Sequence, residues 1–336
     1  MIRIGIICPS EIALRRFLPA LTQCENVQYV GVAVANKEEF RGATDEILSK
    51  EYAKAQLFVD AAGGKIFDSY IHMIQSDEVD AIYLPLPPGL HYQWAKQVLL
   101  AGKHALIEKP CTTELRHTQE LIDIAKVHGK AIHENYMFTL HNQIAAIEDI
   151  IASGKIGEVR LYRISFGFPM RAANDFRYNK TLGGGALFDC TGYTMRYASY
   201  LLGDTARVVT GQMNYINGFD VDMYGSATMV NNKGVTAQLA WGMDNNYRCE
   251  LDVWGSLGSL KTNRVLTAPV GLVPDAILKV GNEPEQMISL PADDAFKKSI
   301  LHFTKCISDK ETRQQNYKQL LIQASLVNQF VEFTKK

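Results

Sequence analysis

The sequence lacks an excess of charge of either sign, and it lacks long hydrophobic runs. Its 336 residues include 35 Lys and Arg against 36 Asp and Glu, so no overall field would draw it to nucleic acid or an anionic membrane. No apolar run approaches the length of a membrane span, and the apolar start at residues 1–7 is too short for a signal peptide. We therefore predict neither nucleic acid nor membrane as a partner.

Cysteine and histidine are present, but without the spacing that disulfide frameworks or metal sites need. The six cysteines are scattered and include no CxxC pair, which favours thiols in a reducing compartment and predicts a cytoplasmic protein. His133-Glu134 resembles the start of a zinc-binding HExxH motif, but Met137 occupies the place of the second histidine. We predict no metal site.

The first part of the chain alternates strand-like and helix-like segments. Apolar strand-like runs occur at residues 3–8, 27–35, 65–67, 81–85, 104–107 and 131–134, and helical spacing occurs at residues 12–23, 48–62, 70–75, 91–101 and 114–128. This alternation predicts βαβ crossovers around a buried parallel sheet. We expect residues 1–135 to form a doubly wound, dinucleotide-binding Rossmann domain.

The pattern changes after about residue 140. Strand candidates follow one another at residues 159–166, 207–215, 226–230, 235–242, 250–255 and 259–263, and two helices at 295–308 and 317–334 close the chain. Strands without intervening helices indicate an antiparallel sheet. We expect residues 136–336 to form an α+β domain with a large, mostly antiparallel open sheet that binds substrate and forms oligomer contacts.

The first strand-to-helix turn is where the pyrophosphate of a dinucleotide would bind, on free N–H groups of the helix. The usual signature, G-x-G-x-x-G/A, fails there except at its last position. The residues at this turn are Cys8, Pro9, Ser10, Glu11, Ile12 and Ala13. By itself the segment favours an ordinary β–α turn, although small Ser10 and Ala13 would permit close approach of a ligand.

The end of the second strand bears on the choice of cofactor. NAD sites usually place an acid there for the ribose 2′-hydroxyl, whereas NADP sites need a cation. The chain has Asn36-Lys37 and no acid at the strand tip, which predicts NADP(H) over NAD(H). Glu38 and Glu39 follow closely, however, and a solvated surface Lys37 is the alternative.

A charged tripeptide follows the strand at residues 104–107. Glu108, Lys109 and Pro110 lie at the strand end where open α/β sheets bind ligands. A lysine there can donate to a cofactor ribose or to a substrate oxygen, and its charge lowers the pKa of nearby acids. An exposed Lys–Glu pair before a loop is the alternative.

The strand at residues 81–85 ends at the same edge. It runs into Pro85, Leu86 and Pro87, and His91 opens the following helix. We predict that these residues line the cofactor site.

A second group of candidates follows three consecutive glycines, residues 183–185. Asp189 and Tyr193 are four residues apart on the helix that comes next, so they share one face. A tyrosine becomes a usable acid–base near neutral pH only if a cation stabilises its phenolate, and Lys109 could be that cation. The alternative is that Tyr193 is a half-buried aromatic residue like Tyr197.

Several motifs together resemble one family. They are Glu108-Lys109-Pro110 and residues 87–91, 134–138, 154–159 and 183–193. In this order, over almost the whole chain, they resemble the glucose–fructose oxidoreductase/inositol dehydrogenase (Gfo/Idh/MocA) family. Within it, residues 12–16, 83–87, 175–178, 235–239 and 263–269 look like the NADPH-dependent 3-ketoreductases of dTDP-deoxysugar biosynthesis.

The resemblance implies roles for individual residues. Lys109 and Tyr193 would flank the substrate carbonyl, with Tyr193 as the proton donor, and a cis peptide bond would precede Pro110. Asp189 would bind a substrate hydroxyl, and Arg177 lies in a segment shared with the ketoreductases and is predicted to bind substrate.

The resemblance also implies an activity. Asn36-Lys37 falls where relatives have Ser-Arg, which supports NADP(H), and the substrate would be a sugar or nucleotide sugar reduced at a keto group, most simply at C-3. One alternative is an NADP-dependent dehydrogenase of a free aldose or diol, and another is a non-catalytic NADP(H)-binding regulatory protein. The resemblance also implies a homodimer or homotetramer.

Overall fold

The computed structural model describes residues 1–40 and 42–335, so Lys336, the last residue of the predicted second domain, lies outside the described residues. In the part of the chain that is described, no helix is both long and apolar enough to cross a membrane.

The chain forms two compact units. The first contains Met1–Asn135 and Phe296–Leu321, and the second contains Tyr136–Ala295 and Ile322–Lys336. Residues 296–321, which the sequence-based division assigns to the second domain, group with the first unit.

Within the described residues, the first unit contains one six-stranded parallel sheet. Its strands are β1 (Ile2–Ile7), β2 (Val27–Ala33), β3 (Lys65–Phe67), β4 (Ala81–Leu84), β5 (His104–Ile107) and β6 (Ile132–Glu134). They lie in the order β3-β2-β1-β4-β5-β6. The chain therefore winds away from β1 in one direction and from β4 in the other, and this reversal opens a crevice at the carboxyl ends of the two strands.

The helices of the first unit are α1 (Leu18–Leu21), directly preceded by a π-helix at Ala13–Phe17, α2 (Asp45–Ala62), α3 (Tyr70–Gln75), α4 (Pro88–Leu100) and α5 (Leu115–Val127). A buried apolar core contains side chains of every strand of the sheet and of α3, α4 and α5. Local sequence starts several of the helices: the side chains of Thr44 and Ser69 cap α2 and α3, and Pro88 occupies the first turn of α4. Near the C-terminus come α8 (Ala295–Ser308) and α9 (Lys310–Thr334).

The described part of the second unit contains one eight-stranded sheet. Its strands are β7 (Val159–Gly167), β8 (Arg207–Tyr215), β9 (Asp222–Val230), β10 (Thr236–Gly242), β11 (Arg248–Gly255), β12 (Gly258–Asn263), β13 (Asp275–Val280) and β14 (Gln286–Ser289). They lie in the order β14-β13-β12-β11-β7-β10-β9-β8, and β7 and β10 pair in parallel while the other neighbours are antiparallel.

Helical segments of the second unit precede the sheet or interrupt it. They are a 3₁₀-helix at Met137–Leu140, α6 (Asn142–Ala152), 3₁₀-helices at Phe176–Tyr178 and Lys180–Leu182, a π-helix at Leu187–Thr191 and α7 (Gly192–Leu202). The buried core of this unit includes side chains of the sheet, α7 and the π-helix.

The predicted fold class is confirmed: a parallel-sheet Rossmann unit occurs with an α+β unit whose sheet is mostly antiparallel. The predictions omit α6, β13 and β14. The last of these strands is largely exposed, so it lacks the apolar alternation by which a half-buried strand is recognised.

Candidate active site

The turn after β1 has the backbone of a glycine turn although it contains no glycine. Cys8 has φ +77°, a left-handed conformation that glycine adopts without steric cost. The Ser10 side-chain oxygen accepts a hydrogen bond from the N–H of Ala13 at 3.3 Å, and its carbonyl accepts from Leu14 at 3.1 Å. These hydrogen bonds occupy the N–H groups of Ala13 and Leu14, so an anion at this turn would have to bind N–H groups earlier in the first helical turn.

The predicted cofactor residues of the first unit gather at one edge of its sheet. Most of them follow a strand at its carboxyl end: Cys8 to Ala13 come after β1, Asn36 and Lys37 after β2, Pro85, Leu86 and Pro87 after β4, and Glu108 and Lys109 after β5. In a parallel sheet these ends lie on the same side, and β1 and β4 flank the point where the winding direction changes. The placement of these residues at the carboxyl ends of the strands fits a site for a dinucleotide.

A carboxylate follows the end of β2, but backbone N–H groups already donate hydrogen bonds to it. The Glu39 carboxylate accepts from the N–H groups of Asn36, Tyr70 and Ile71 at 3.1, 2.9 and 2.8 Å. It therefore ties the loop after β2 to the start of α3. Lys37 lies on the surface, with its Nζ 2.6 Å from Asp45.

His91 lies at the predicted sheet edge, and its ring contacts two loops of the protein. Its ring is completely buried, and its two nitrogens lie 2.7 Å from the carbonyl oxygens of Leu86 and Pro110. Burial lowers the pKa of His91 to about 4, and the hydrogen bonds to the two carbonyls, which favour a proton on each nitrogen, oppose that decrease. His91 therefore joins the loops that follow β4 and β5. These contacts support a role in positioning the two loops, and a place for His91 in the cofactor site stays a prediction.

Glu108 is held by two side-chain donors. Tyr83 Oη and Asn135 Nδ2 lie 2.6 and 2.5 Å from Glu108 Oε1. Burial raises the pKa of Glu108, and these hydrogen bonds and the charge of Lys109 oppose that increase. The peptide bond between Lys109 and Pro110 is cis, as the resemblance implies.

In the second unit the consecutive glycines allow close contacts within the protein. A Cβ on Gly184 would overlap the backbone carbonyl of Arg177, and a Cβ on Gly185 would overlap the Asp222 carboxylate. Asp222 is buried and accepts from the N–H of Leu187 at 2.8 Å, and burial raises its pKa to about 6. These glycines therefore bring the loop at Arg177 and the start of the next helix together.

Arg177 and Asp189 form an ion pair. The Arg177 Nε lies 2.6 Å from Asp189 Oδ2, and its Nη1 lies 3.1 Å from Asp175 Oδ1. The two paired side chains are 20% and 12% exposed, so the pair is shielded but still reachable. Burial opposes the charge on Arg177, but Asp189 and Asp175 together raise its pKa above the ordinary value. Two predicted substrate residues are thus brought into direct contact.

Tyr193 lies in an aromatic cluster, and its side chain is almost fully buried. Its ring centroid is 5.3 Å from that of Tyr136, 5.8 Å from Phe138 and 5.1 Å from Phe166. The preceding Leu187–Thr191 segment is a π-helix, a local form that is frequent at functional sites. The four-residue spacing of Asp189 and Tyr193 therefore crosses from a π-helix into an α-helix, which changes their angular separation from that of a regular helix.

Sequence reasoning missed several residues that hold this site. Tyr83 and Asn135 bind Glu108, and Glu39 fixes the loop after β2. Asn135 could have been predicted, because it directly follows β6 at the same sheet edge. Tyr83 could not have been predicted, since it lies within an apolar strand.

Comparison with known proteins supports a family assignment. Residues 3–136 match the model of an oxidoreductase family with an NAD-binding Rossmann fold, and residues 144–261 match the model of the GFO/IDH/MocA C-terminal domain.

Individual relatives extend over nearly the whole chain. A dTDP-3,4-didehydro-2,6-dideoxy-alpha-D-glucose 3-reductase from Actinomadura kijaniata is 35% identical over 97% of this chain and 94% of its own. The crystal structure of KijD10, a 3-ketoreductase from the same organism in complex with NADP and TDP-benzene, has a TM-score of 0.91 and 34% identity, covering 99% of this chain and 98% of that one. A D-xylose 1-dehydrogenase (NADP(+)) from Haloferax volcanii is 24% identical over 92% of this chain and 90% of its own. The chain therefore belongs to the Gfo/Idh/MocA family of oxidoreductases.

Proposed function

We propose that this protein uses NADPH to reduce a keto group, at C-3, of a nucleotide-linked deoxysugar. The observation that carries the proposal is 35% identity over 97% of the chain to a dTDP-sugar 3-reductase. The presence of Lys109, Asp189 and Tyr193 at the positions described above supports it, because a ketoreductase needs a cation, a substrate anchor and a proton donor.

The end of β2 favours NADP(H) over NAD(H). The Glu39 carboxylate lies shortly after the end of β2 in the sequence, and it already accepts hydrogen bonds from three backbone N–H groups. Lys37 is held by a surface ion pair with Asp45, which contributes roughly 0–1 kcal/mol. A 2′-phosphate can therefore compete for Lys37 at small cost.

The proton side of the reaction falls to Lys109 and Tyr193. When bound, NADPH supplies the hydride that reduces the ketone carbon. Lys109 polarises the carbonyl oxygen and stabilises the negative charge that develops on it. Tyr193 donates its phenolic proton to that oxygen, and the buried aromatic rings around Tyr193 fix the orientation of its side chain.

Asp189 and Arg177 bind the substrate beside the reacting carbon. A carboxylate has about four acceptor positions, so Asp189 can accept from Arg177 and from a sugar hydroxyl together. Arg177 keeps Asp189 charged and limits its movement, because their contact is direct and shielded.

The test is an assay of NADPH consumption with dTDP-3,4-didehydro-2,6-dideoxy-glucose, in parallel with NADH. We expect turnover that is faster with NADPH, and a product whose C-3 hydroxyl is identified by NMR. Absence of turnover with this sugar and with its UDP analogue would refute the proposal.

The second candidate is oxidation of a free aldose or diol with NADP⁺. The observation that favours it is the similarity to a D-xylose 1-dehydrogenase (NADP(+)). A panel of free sugars assayed with NADP⁺ separates the two activities. Turnover in either assay would exclude the non-catalytic regulatory alternative.

We also propose that the protein is a cytoplasmic homodimer or homotetramer. All six cysteines lie within the described residues and are free thiols, which fits a reducing compartment. Light scattering would measure the oligomeric state, and a monomeric mass would contradict it.

A further inference from the structure

A chain of hydrogen-bonded side chains leads from Glu108 into the interior of the first unit. Asn135 Nδ2 is 2.5 Å from Glu108 Oε1, and Asn135 Oδ1 is 2.7 Å from Ser299 Oγ. Ser299 Oγ is 3.0 Å from His133 Nε2, and His133 Nδ1 is 3.0 Å from Asn316 Oδ1. The chain thus joins two titratable groups, Glu108 and His133, through Asn135 and Ser299.

The fold accounts for this arrangement. His133 lies on β6, and Asn135, two residues later, points to the same side. Leu106 pairs with His133 in register, so Glu108 after β5 continues on that side as well. Ser299 on α8 and Asn316 on α9 complete the chain, whose inner members are almost completely buried: His133, Asn135, Ser299 and Asn316.

The donors and acceptors constrain the proton positions. Asn316 donates its Nδ2 to the carbonyl of Ile132, so its Oδ1 faces His133 and requires a proton on Nδ1. If Ser299 donates to Asn135 Oδ1, then its oxygen must accept from His133 Nε2. In this first arrangement His133 has protons on both nitrogens and is cationic, and Glu108 is an ionised carboxylate that accepts from Asn135.

A second arrangement contains the same number of protons. His133 keeps the proton on Nδ1 and has none on Nε2, which accepts from the hydroxyl of Ser299. The Asn135 amide is turned over, so its Nδ2 donates to Ser299 Oγ and its Oδ1 accepts from a protonated Glu108. One proton has moved from His133 Nε2 to the Glu108 carboxylate, and both buried charges have been neutralised.

We propose that His133 and Glu108 share one proton through Ser299 and Asn135, so that the charge beside Lys109 is set by an imidazole deep in the first unit. Buried ions are costly unless they are paired and hydrogen-bonded, and this chain lets the protein hold either both charges or neither. Burial also raises the pKa of Glu108, which favours the neutral arrangement. His133 and Glu108 are positioning residues here, and their importance for catalysis rests on the proposed function.

Other titratable groups border the chain. Tyr83 on β4 donates to Glu108, and Lys109 follows it. On the far side, His302 on α8 has its ring centroid 5.2 Å from that of His133, and its Nε2 lies 3.6 Å from Cys306 Sγ. Any titration of His133 must therefore be compared with that of His302.

The test is an NMR titration of the ligand-free protein labelled in its histidines, with His133 assigned from the spectrum of His133→Gln. We expect Glu108→Gln to lower the titration midpoint of His133 by about one pH unit or more, the level at which two sites count as coupled. The reason is that a neutral amide cannot stabilise the imidazolium. In the Ser299→Ala background the same substitution should shift the midpoint by less than half as much. Glu120→Gln, which removes a carboxylate paired with Lys96 in the same unit, is the matched control and should cause no shift.

An equal His133 midpoint in the wild-type protein and in Glu108→Gln would overturn the proposal. If Glu108→Gln does not fold, the Glu108 carboxyl signal is followed instead in His133→Gln, where its midpoint should rise by about one pH unit; an unchanged value there would overturn the proposal equally. The titration needs no substrate. Coupling without turnover would therefore refute only the proposed function, and turnover without coupling would refute only the shared proton.

Discussion

Gly192 at the start of α7 lies directly against the hydroxyl group of Tyr136. A Cβ built on Gly192 would overlap the Tyr136 hydroxyl oxygen, and the Gly192 carbonyl accepts from Gln323 Nε2 at 3.0 Å. Tyr136 in turn packs edge to face on Tyr193. The glycine that precedes Tyr193 therefore leaves space for a side chain that helps to hold the Tyr193 ring.

Gly192→Ala should destabilise the protein, because the added methyl group forces Tyr136 or the helix to move. We expect a loss of roughly 1–3 kcal/mol in the free energy of unfolding, as for other overpacked sites, measured by urea denaturation. In the Tyr136→Phe protein the overlapping oxygen is absent, so Gly192→Ala should cost less stability there than in the wild-type protein. An equal loss of stability in the two backgrounds would contradict this explanation.

Tyr193→Phe should lower kcat by roughly 100-fold or more, the contribution typical of a general acid, with little change in KM. The matched control is Tyr197→Phe on the same helix. Tyr197 is fully buried, and its hydroxyl has no hydrogen-bond partner among the described residues. Its removal should therefore leave kcat within about twofold of the wild-type value. Equal losses in the two variants would indicate that Tyr193 acts only through packing.

Lys37→Ala should weaken NADPH binding by roughly tenfold, equivalent to about 1.4 kcal/mol, and should leave NADH binding unchanged. The reason is that only NADPH has the 2′-phosphate that we assign to Lys37. The ratio of KM values for the two cofactors gives the effect directly. Lys50→Ala removes another exposed lysine that pairs with a nearby acid, and it should alter neither value. A loss of affinity for both cofactors in Lys37→Ala would argue against specific phosphate binding.

Stability should decrease in mild acid because two histidines are held neutral. Burial lowers the pKa of His91 and of His104 to about 4, and His104 Nδ1 accepts from the N–H of Ala131 at 2.8 Å. The unfolded chain takes up these protons below about pH 6.5, whereas the folded protein resists protonation down to about pH 4. The contribution of these neutral rings to the free energy of unfolding is therefore fully present above pH 6.5. It is lost as the pH falls from 6.5 to 4, by up to about 1.4 kcal/mol per pH unit for each ring.

Urea denaturation at pH 7 and pH 5 measures this loss. His104→Gln should reduce the difference between the two pH values, because one titrating group has been removed. His128→Gln, at an exposed position, is the control and should leave the difference close to that of the wild-type protein. An unchanged difference in His104→Gln would show that other groups cause the acid sensitivity.

Much of the fold could be predicted because its signals are local. The bounds of β3, β5, α3 and β8 agree with the predicted segments, since each is a compact run of apolar or β-branched residues or is marked by a capping residue. Glu108 and Lys109 could be placed at the carboxyl end of β5 for the same reason. The exposed strand β14 could not be found, because its side chains have no buried face to reveal it.

Parts of the site were beyond local reasoning. The glycine signature fails at Cys8, but the structure gives that residue the left-handed backbone of a glycine. His91 lies at the predicted sheet edge, yet both of its nitrogens face backbone carbonyls of other segments. In the sequence, Glu39 weakens the prediction of NADP as the cofactor. In the structure, its carboxylate accepts hydrogen bonds from backbone N–H groups.

The sequence and the tertiary structure determined different features of this protein. The sequence by itself determined the order of the strands along the chain, the chemistry at the strand ends and the family, because these depend on residue type and spacing. Only the tertiary structure decided which partner each polar side chain has. Asn135, Ser299 and His133 come together because β6 and α8 pack against each other, although 164 residues separate Asn135 from Ser299. Such contacts depend on packing between distant segments, which no local pattern encodes.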